Sequence, residues 1–285
     1  MTNGLNYSEH GSNGTINNHY SPKFTNEPWA NSDGLIISLR REVGSKNVVR
    51  GRTGPKKWGA EKHLYSQELE DALGRIENRV APVYCKLLAN DPLTPKDRLI
   101  WSRWILCQFS RTPSHILELA GLEEDVLASF PAFACDFTPC EIQAKIDAAT
   151  NGVLDFQDNE QLIPFIVLRD WMVLQPAAGE FFIKGDVPVV IHGALVDDNA
   201  TIVYPLSPNH CFVATVLSGF PPHQIQAEYR LKPGEASYYM KLVAARAACE
   251  VICHPDHCSE ELELLVASAL GTVSRHLKLG GNHAN

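Results

Sequence analysis

Apolar side chains recur at alternating steps of four and three residues in the segment that begins at Ser66. This spacing places them on one face of a helix and predicts a long amphipathic helix. Pro82 lies inside the pattern and has no backbone N–H, so we expect it to kink or split that helix. The apolar stripe consists of Leu69, Leu73, Ile76, Val80, Val83 and Leu87.

The next helix has clear start and stop signals. Thr94 is a typical N-cap, Pro95 suits the first helical position, and Asp97 places a carboxylate in the first turn. The helix should end by Thr112, because Pro113 disfavours helical backbone in the residue before it. Shorter helices are predicted at 114–120, 123–130 and 139–150, and the last should close at Asn151-Gly152.

The second half of the chain changes its pattern. Residues 160–175 are almost continuously apolar, and we expect them to form a helix at the buried centre. Short runs rich in β-branched and aromatic residues predict strands at 180–193, 200–207 and 210–217, in addition to an early strand at 34–39. Two helices, at 234–251 and 259–279, are predicted to close the chain.

These elements predict an α+β fold, a mainly helical single domain with a small, mostly antiparallel sheet. The domain should span residues 17–279, between a polar disordered tail at 1–16 and a disordered C-terminus at 280–285. No apolar run approaches the length that spans a bilayer, so we expect no membrane span and a soluble, cytoplasmic protein with reduced cysteines. The oligomeric state does not follow from the sequence.

Charge is distributed unevenly along the 285 residues. The formal net charge is −8, which argues against a protein whose main partner is nucleic acid. The segment 40–57, however, contains seven basic residues and one acidic residue. Such a segment is either a subsite for a phosphate or carboxylate, or a solvated flexible loop rich in Gly and Lys.

Familiar nucleotide and hydrolase motifs are absent. The sequence has no GxGxxG, no phosphate-binding loop ending in Lys-Ser/Thr, no GxSxG and no HExxH. We therefore expect no cofactor. A cluster with metal-ligand chemistry, "CHPDHC" at 253–258, has two interpretations: a zinc site completed by Cys135 and Cys140, or a linker between two helices. We favour the linker and predict no metal.

Two polar groups occur where the pattern predicts burial. Gln108 and Arg111 share a helix face with Ile100, Trp104 and Cys107, and burying them is costly unless each finds a partner. Arg111 is therefore either a structural cap or an anion clamp in a pocket. The carboxylate of Asp186, held in a tight turn within "KGDVPVV", has the same two interpretations.

Five short motifs occur in an order that resembles a known family. They are "HYSPKF" at 19–24, "AEKHLYSQELEDALGRIE" at 60–77, "FSRTP" at 109–113, "FFIKGDVPVV" at 181–190 and "PLSP" at 205–208. The chain resembles, over residues 17–255, a large uncharacterised family of bacterial and fungal proteins that opens with His-Tyr-Val-Pro and is called the HYVP family. Ser21, Gly185 and Val187 depart from that family's pattern of Val, Ser and Asn.

The resemblance brings no established activity, but it implies that dispersed polar residues share one site. We predict His19, Tyr20 and Asp186 as catalytic groups that share one cavity with Arg111. The remaining predicted site residues would bind substrate, and three aromatic side chains among them would wall the pocket. They are Lys23, Tyr65, Trp104, Gln108, Arg111, Trp171 and Phe181.

Three functions follow from these features. The first is a cofactor-independent enzyme that catalyses the isomerisation, cyclisation or elimination of a small, largely apolar metabolite in an enclosed pocket, as in specialised metabolism. The second is a nucleic-acid-acting or toxin/defence protein that uses the basic segment on phosphates. The third is a small-molecule binder without chemistry. We rank the enzyme first.

Overall fold

A computed structural model describes residues 17–41, 47–62, 64–121, 139–217 and 225–270. The tails expected at 1–16 and 280–285 and the helix predicted at 123–130 lie outside these ranges. The α+β class predicted from the sequence is confirmed. The helices are α1 Lys23–Asn26, α2 Gln67–Ala89, α3 Pro95–Ser110, α4 Pro113–Leu119, α5 Pro139–Gln157, α6 Pro164–Val167, α7 Glu235–Arg246 and α8 Glu260–Ala269.

The strands form three sheets in the described part of the chain. The strands are β1 Asn17–His19, β2 Ile36–Arg41, β3 Val48–Thr53, β4 Ala60–Lys62, β5 Asp170–Gln175, β6 Lys184–Gly185, β7 Val190–His192, β8 Thr201–Ser207, β9 His210–Thr215, β10 Ile225–Arg230 and β11 Glu250–Cys253. The five-stranded sheet has the order β10-β5-β9-β8-β7, in which only β10 and β5 pair in parallel. The four-stranded sheet has the order β3-β2-β11-β6 and is antiparallel throughout. Strands β1 and β4 pair separately.

Two hydrophobic cores lie on the two faces of the five-stranded sheet. Because successive strand residues point to opposite faces, Trp171 and Val173 of β5 pack with helices α2 to α5, whereas Met172 and Leu174 pack on the other side. The second core is completed by the four-stranded sheet with α7 and α8. Within the described ranges, no helix has the length and apolar character needed to cross a bilayer.

The predicted helices α2 and α3 begin where their capping signals lie. The Ser66 side chain accepts the Leu69 N–H, and Thr94 and Asp97 form a reciprocal capping box. Helix α2 continues through Pro82 without splitting. The stop predicted at Asn151-Gly152 is wrong, because α5 runs on to Gln157 and buries Val153 on its apolar face.

The buried helix predicted at 160–175 is wrong. Only the single turn α6 is helical, and Asp170–Gln175 is the strand β5, with β9 and β10 on its two sides. A strand buried on both faces has the same unbroken apolar sequence as a buried helix, so the pattern could not separate them.

The helix predicted at 234–251 is too long by its last turn. It ends at Arg246, and Glu250–Cys253 is strand β11, paired with β2 and β6. The segment "CHPDHC" therefore connects a strand to a helix, through a single 3-10 turn at Pro255–His257. The interpretation of 40–57 as a flexible loop is also wrong for the central part of the segment, because Val48–Thr53 is a strand that pairs with β2.

Candidate functional site

A cavity of about 270 Å³ lies over one face of the four-stranded sheet. The N-terminal segment that follows β1 and the turn that precedes β4 form its other walls. Its size is near the lower end of the roughly 300–1,000 Å³ of typical ligand pockets. The lining includes Tyr20, Arg40, Lys57, Trp58, Glu61 and Glu250.

Strand register brings the charged floor of this cavity together. Arg40 of β2 lies directly opposite Glu250 of β11, and directly opposite residues of an antiparallel pair point to the same face. Ser38 is two residues from Arg40 and shares that face. The four-stranded sheet thus presents a row of polar side chains to the cavity, although its opposite face contributes Leu39 and Val251 to the second core.

Glu250 is the acidic group at the floor. The Trp58 Nε1–H donates a hydrogen bond to Glu250 Oε2 at 3.1 Å, and Ser38 also contacts the carboxyl group. Burial raises the pKa of Glu250 above its ordinary value, and the nearby Asp186 adds to this effect. Hydrogen bonds from Ser38 and Trp58 and the charge of Arg40 lower the pKa of Glu250, but they do not cancel the rise. A carboxyl group with a raised pKa can both give and accept a proton nearer neutral pH.

Gly51 leaves space beside Ser38. A Cβ on Gly51 would lie 2.7 Å from Ser38 Oγ, which is closer than such atoms approach in proteins. Gly51 faces Ser38 across the β2–β3 pair. Because Gly51 has no side chain, the Ser38 hydroxyl has the space to reach the Glu250 carboxyl group.

Tyr20 supplies a phenol group to the cavity. Its backbone N–H and that of Ser21 both donate to Gly59 O, at 2.9 and 3.0 Å. Gly59 has a φ of +72°, and a Cβ there would lie 2.4 Å from Ser21 Cβ, so glycine allows this close approach. Burial, followed by the charges of Asp186 and Glu250, raises the pKa of Tyr20 well above its ordinary value. The hydroxyl thus stays protonated, available as a hydrogen-bond donor.

Asp186 lies near Tyr20 and Glu250, but its carboxylate is engaged by backbone groups. Asp186 Oδ1 accepts the Ala248 N–H at 2.7 Å, and Oδ2 accepts those of Cys249 and Glu250 at 2.9 and 3.1 Å. These three bonds fix the start of β11, and hence the position of Glu250. Asp186, predicted from the sequence as a catalytic group, thus has the contacts of a residue that positions a strand.

A buried lysine attaches the N-terminal segment to the same sheet. Lys184 of β6 donates from Nζ to Thr25 O, Thr25 Oγ1 and Asn26 Oδ1, at 3.1, 2.9 and 2.8 Å. Burial lowers its pKa well below the ordinary value. Its Nζ also lies 5.5 Å from the centre of the Trp58 ring. Lys184 therefore holds the cavity wall in place through its own hydrogen bonds.

Arg111 belongs to a second polar cluster, away from the cavity lining. Its Nη1 forms an ion pair with Glu77 at 2.9 Å, its Nη2 donates to His19 O, and Tyr65 donates to the Arg111 carbonyl. Burial opposes the charge, yet Glu77 keeps the pKa of Arg111 above its ordinary value. The guanidinium group, which also approaches the Trp104 ring, connects the end of α3 to β1.

His19 contacts this second cluster and the turn beside the cavity. Its Nδ1 lies 3.9 Å from Glu70 Oε1, and its Nε2 lies 3.0 Å from Lys56 O. The contact with Glu70 raises the pKa of His19, against the opposing effect of burial. A protonated imidazole can bridge Glu70 and the Lys56 carbonyl, and so fastens the turn that carries Lys57 and Trp58.

Of the residues expected to share one cavity, only Tyr20 lines it, and Asp186 lies behind the lining, near Tyr20 and Glu250. His19, Tyr65 and Arg111 share the second cluster. Gln108 donates to the Tyr20 carbonyl at 3.3 Å, which places it behind the cavity.

The other expected wall residues are elsewhere. Lys23 pairs on the surface with Glu27 at 3.0 Å. Trp104 and Trp171 are fully buried in the first core, and Phe181 stacks on His257 at 4.5 Å. None of these four side chains lines the cavity.

The cluster "CHPDHC" does not assemble a ligand set in the described residues. There, no group of three or more His, Cys, Asp or Glu side chains is placed to hold a metal ion. Cys253 is buried at the end of β11, and the His254 side chain accepts the Asp256 N–H at the 3-10 turn. The side chains of Cys135 and Cys140, considered as further ligands, lie outside the described set.

Sequence reasoning missed Trp58 and Glu250 as candidate site residues, and it considered Arg40 and Lys57 only as part of the basic segment 40–57. Glu250 follows an alanine-rich stretch that has the composition of a helix, so its place on a strand was hidden. One signal was available: Ser38 and Arg40 alternate with Ile37 and Leu39, which is typical of a strand with one polar face.

Comparison with known proteins gives one match. A family model described as "Protein of unknown function (DUF4238)" matches residues 17–257. No curated protein and no solved structure matches the chain. The matched range contains both the cavity and the second polar cluster.

Proposed function

Because the chain belongs to the DUF4238 family, whose function is unknown, we propose a function from the cavity itself: the protein is a cofactor-independent enzyme that performs acid–base chemistry on a small polar metabolite. The observation that carries the proposal is the half-buried Glu250 carboxyl group beside the Tyr20 phenol in one cavity. We also identify this family with the one that opens on His-Tyr-Val-Pro, an interpretation that rests on the order of the motifs.

In this proposal Glu250 transfers the proton. Its raised pKa brings the carboxyl group closer to neutral pH, where a general acid or base is most effective. Tyr20 donates a hydrogen bond to negative charge that develops on the substrate, since its own pKa is held high by burial. Isomerisation, cyclisation and elimination each need such a proton transfer.

The lining also favours a substrate class. We expected a largely apolar metabolite, but Arg40, Lys57, Glu61 and Glu250 give the cavity a polar, charged wall. The volume of about 270 Å³ suits a small molecule rather than a polymer. The nucleic-acid alternative gains no support from Arg50, because its guanidinium group already pairs with Glu263 at 2.6 Å.

The test is incubation of the purified protein with a small-molecule extract, followed by mass spectrometry of the metabolites that change. The wild type should convert at least one metabolite. Glu250→Gln keeps the size and the acceptor for Trp58 but cannot transfer the proton, so it should abolish conversion. Tyr20→Phe should slow conversion by about 10²-fold, as removal of one oxyanion donor does elsewhere.

Two exposed residues provide matched controls for this experiment. Glu160→Gln and Tyr238→Phe make the same chemical changes at the surface and should leave conversion unchanged. Conversion by Glu250→Gln at the wild-type rate would refute the role of Glu250. If a metabolite binds the wild type but is not converted, the protein is a small-molecule binder and not an enzyme.

A further inference from the structure

We propose that Arg40 and Lys57 form an oxyanion subsite at the mouth of the cavity, which holds a carboxylate or phosphate group of the substrate. This inference rests on the proposed function, because it assigns a substrate class to the same cavity. Both side chains line the cavity and both residues are exposed, whereas Tyr20 and Trp58 are buried. The cations are thus positioned at the entrance, and the phenol and the indole lie further in.

The cationic groups of Arg40 and Lys57 can bind a ligand, although the charge of Arg40 also acts on the nearby Glu250 carboxyl group. Among the described residues, neither side chain has a hydrogen bond or an ion pair within the protein. Three arginines of the same fold contrast with them. Arg41 donates to the carbonyls of Ala267 and Leu270, Arg50 pairs with Glu263, and Arg111 pairs with Glu77.

The nearby acids decide where an anion can be held. Glu250 is the cross-strand neighbour of Arg40, and Asp186 lies close behind it, so negative charge is repelled from the floor. Glu61 adds a further acid to the lining. An anionic group is therefore held between Arg40 and Lys57, while the reacting part of the molecule extends toward Tyr20 and Glu250.

Binding there has a consequence for Glu250. The charge of Arg40 lowers the pKa of the Glu250 carboxyl group. The negative charge of a bound anion offsets the charge of Arg40, so it favours the protonated acid. The substrate would thereby prepare Glu250 to act as the proton donor.

The experiment measures the binding of two probes, inorganic phosphate and acetate, by isothermal titration calorimetry at constant ionic strength. The phosphate arm tests for a phosphate group and the acetate arm for a carboxylate. Replacing each cation by Gln removes charge-assisted hydrogen bonds, so the affinity for the preferred probe should fall about tenfold for each change. The variants are Arg40→Gln, Lys57→Gln and their double.

The chain offers matched controls in the same hairpin. Arg52 is opposite Ile37 and so lies on the other face of the sheet, and Lys56 is the neighbour of Lys57 outside the cavity lining. Arg52→Gln with Lys56→Gln removes the same total charge and should leave the affinity unchanged. An equal loss in both double variants would show unspecific attraction and overturn the subsite. Absence of binding of both probes to the wild type would overturn it as well.

A second measurement on the wild type does not depend on the folding of a variant. Either probe should protect Lys57, but not Lys56, from reductive methylation by formaldehyde and dimethylamine–borane, as read by peptide mass spectrometry. Equal labelling of both lysines with and without the probes contradicts the proposal. Glu250→Gln separates this inference from the proposed function. It should bind the anion at least as well as the wild type, because a negative neighbour is removed, while conversion is lost.

Discussion

Replacement of Asp186 by Ala separates the two roles that this residue can have. The change removes one carboxylate that accepts three backbone N–H groups, those of Ala248, Cys249 and Glu250. If Asp186 positions β11, its loss should destabilise the fold. If it were a catalytic group held ready for a substrate, its loss should abolish turnover at little cost in stability.

The contacts allow the cost to be worked out. A buried hydrogen-bonding group that is left without its partner costs about 1–3 kcal/mol. The N–H groups of Ala248 and Glu250 are only partly buried, so water can replace some of the lost bonds. Taking the lower end for each of the three bonds gives a loss of about 3 kcal/mol in the free energy of unfolding. Asp186→Asn retains one acceptor oxygen and should cost roughly half of that.

The assay is urea unfolding followed by circular dichroism. Asp158→Ala is the control, because Asp158 is exposed and its ion pair with Arg103 is worth at most about 1 kcal/mol. Asp186 does not position β11 if Asp186→Ala unfolds within about 0.5 kcal/mol of the wild type, the range of ordinary surface changes. Loss of conversion in that same stable variant would restore Asp186 as a catalytic residue.

Two further predictions concern the second polar cluster. Arg111→Met removes the buried cation from a partly exposed Glu77 and should lower the free energy of unfolding by about 3 kcal/mol, the lower end for a broken buried ion pair. Arg103→Met at the surface should cost about 1 kcal/mol or less, and urea unfolding measures both changes. Because the pKa of His19 is raised in the folded protein, its contribution to stability is fully present below pH 6.5 and is lost as the pH rises through the higher folded value. Unfolding at a series of pH values should reveal this loss in the wild type, and a His19→Gln variant that retains it would disprove the assignment.

The sequence was sufficient for elements that local signals determine. Helices α2 and α3 follow from one apolar stripe and from the caps at Ser66 and Thr94, because each of these acts within a few residues of the chain. Strands β5 and β11 could not be predicted in this way. Their sequences are compatible with helix, and pairing with distant strands decides their conformation.

The site residues divide in the same way, into those that the local sequence indicates and those that pairing of distant strands brings together. Tyr20 could be selected because it is a polar aromatic residue in a recognisable motif. Its neighbour His19 was expected beside it, yet adjacent residues of an extended segment point to opposite sides, and the two side chains reach different clusters. Glu250 and Arg40 become neighbours only through the β2–β11 register, which joins positions more than 200 residues apart. A single sequence contains no signal for that register.

The proposed role of Glu250 in proton transfer can be tested by titrating its carboxyl group in the folded protein. Carbon-detected NMR of protein labelled at the glutamate carboxyl carbon, assigned by comparison with Glu250→Gln, gives its pKa in the folded protein. Our account predicts a midpoint clearly above the ordinary value of 4.5, with a further rise when the Arg40–Lys57 subsite is occupied by phosphate or acetate. A midpoint at or below 4.5 would mean that Glu250 is a plain anion at neutral pH, and it would contradict the assignment of this residue as the proton-transfer group.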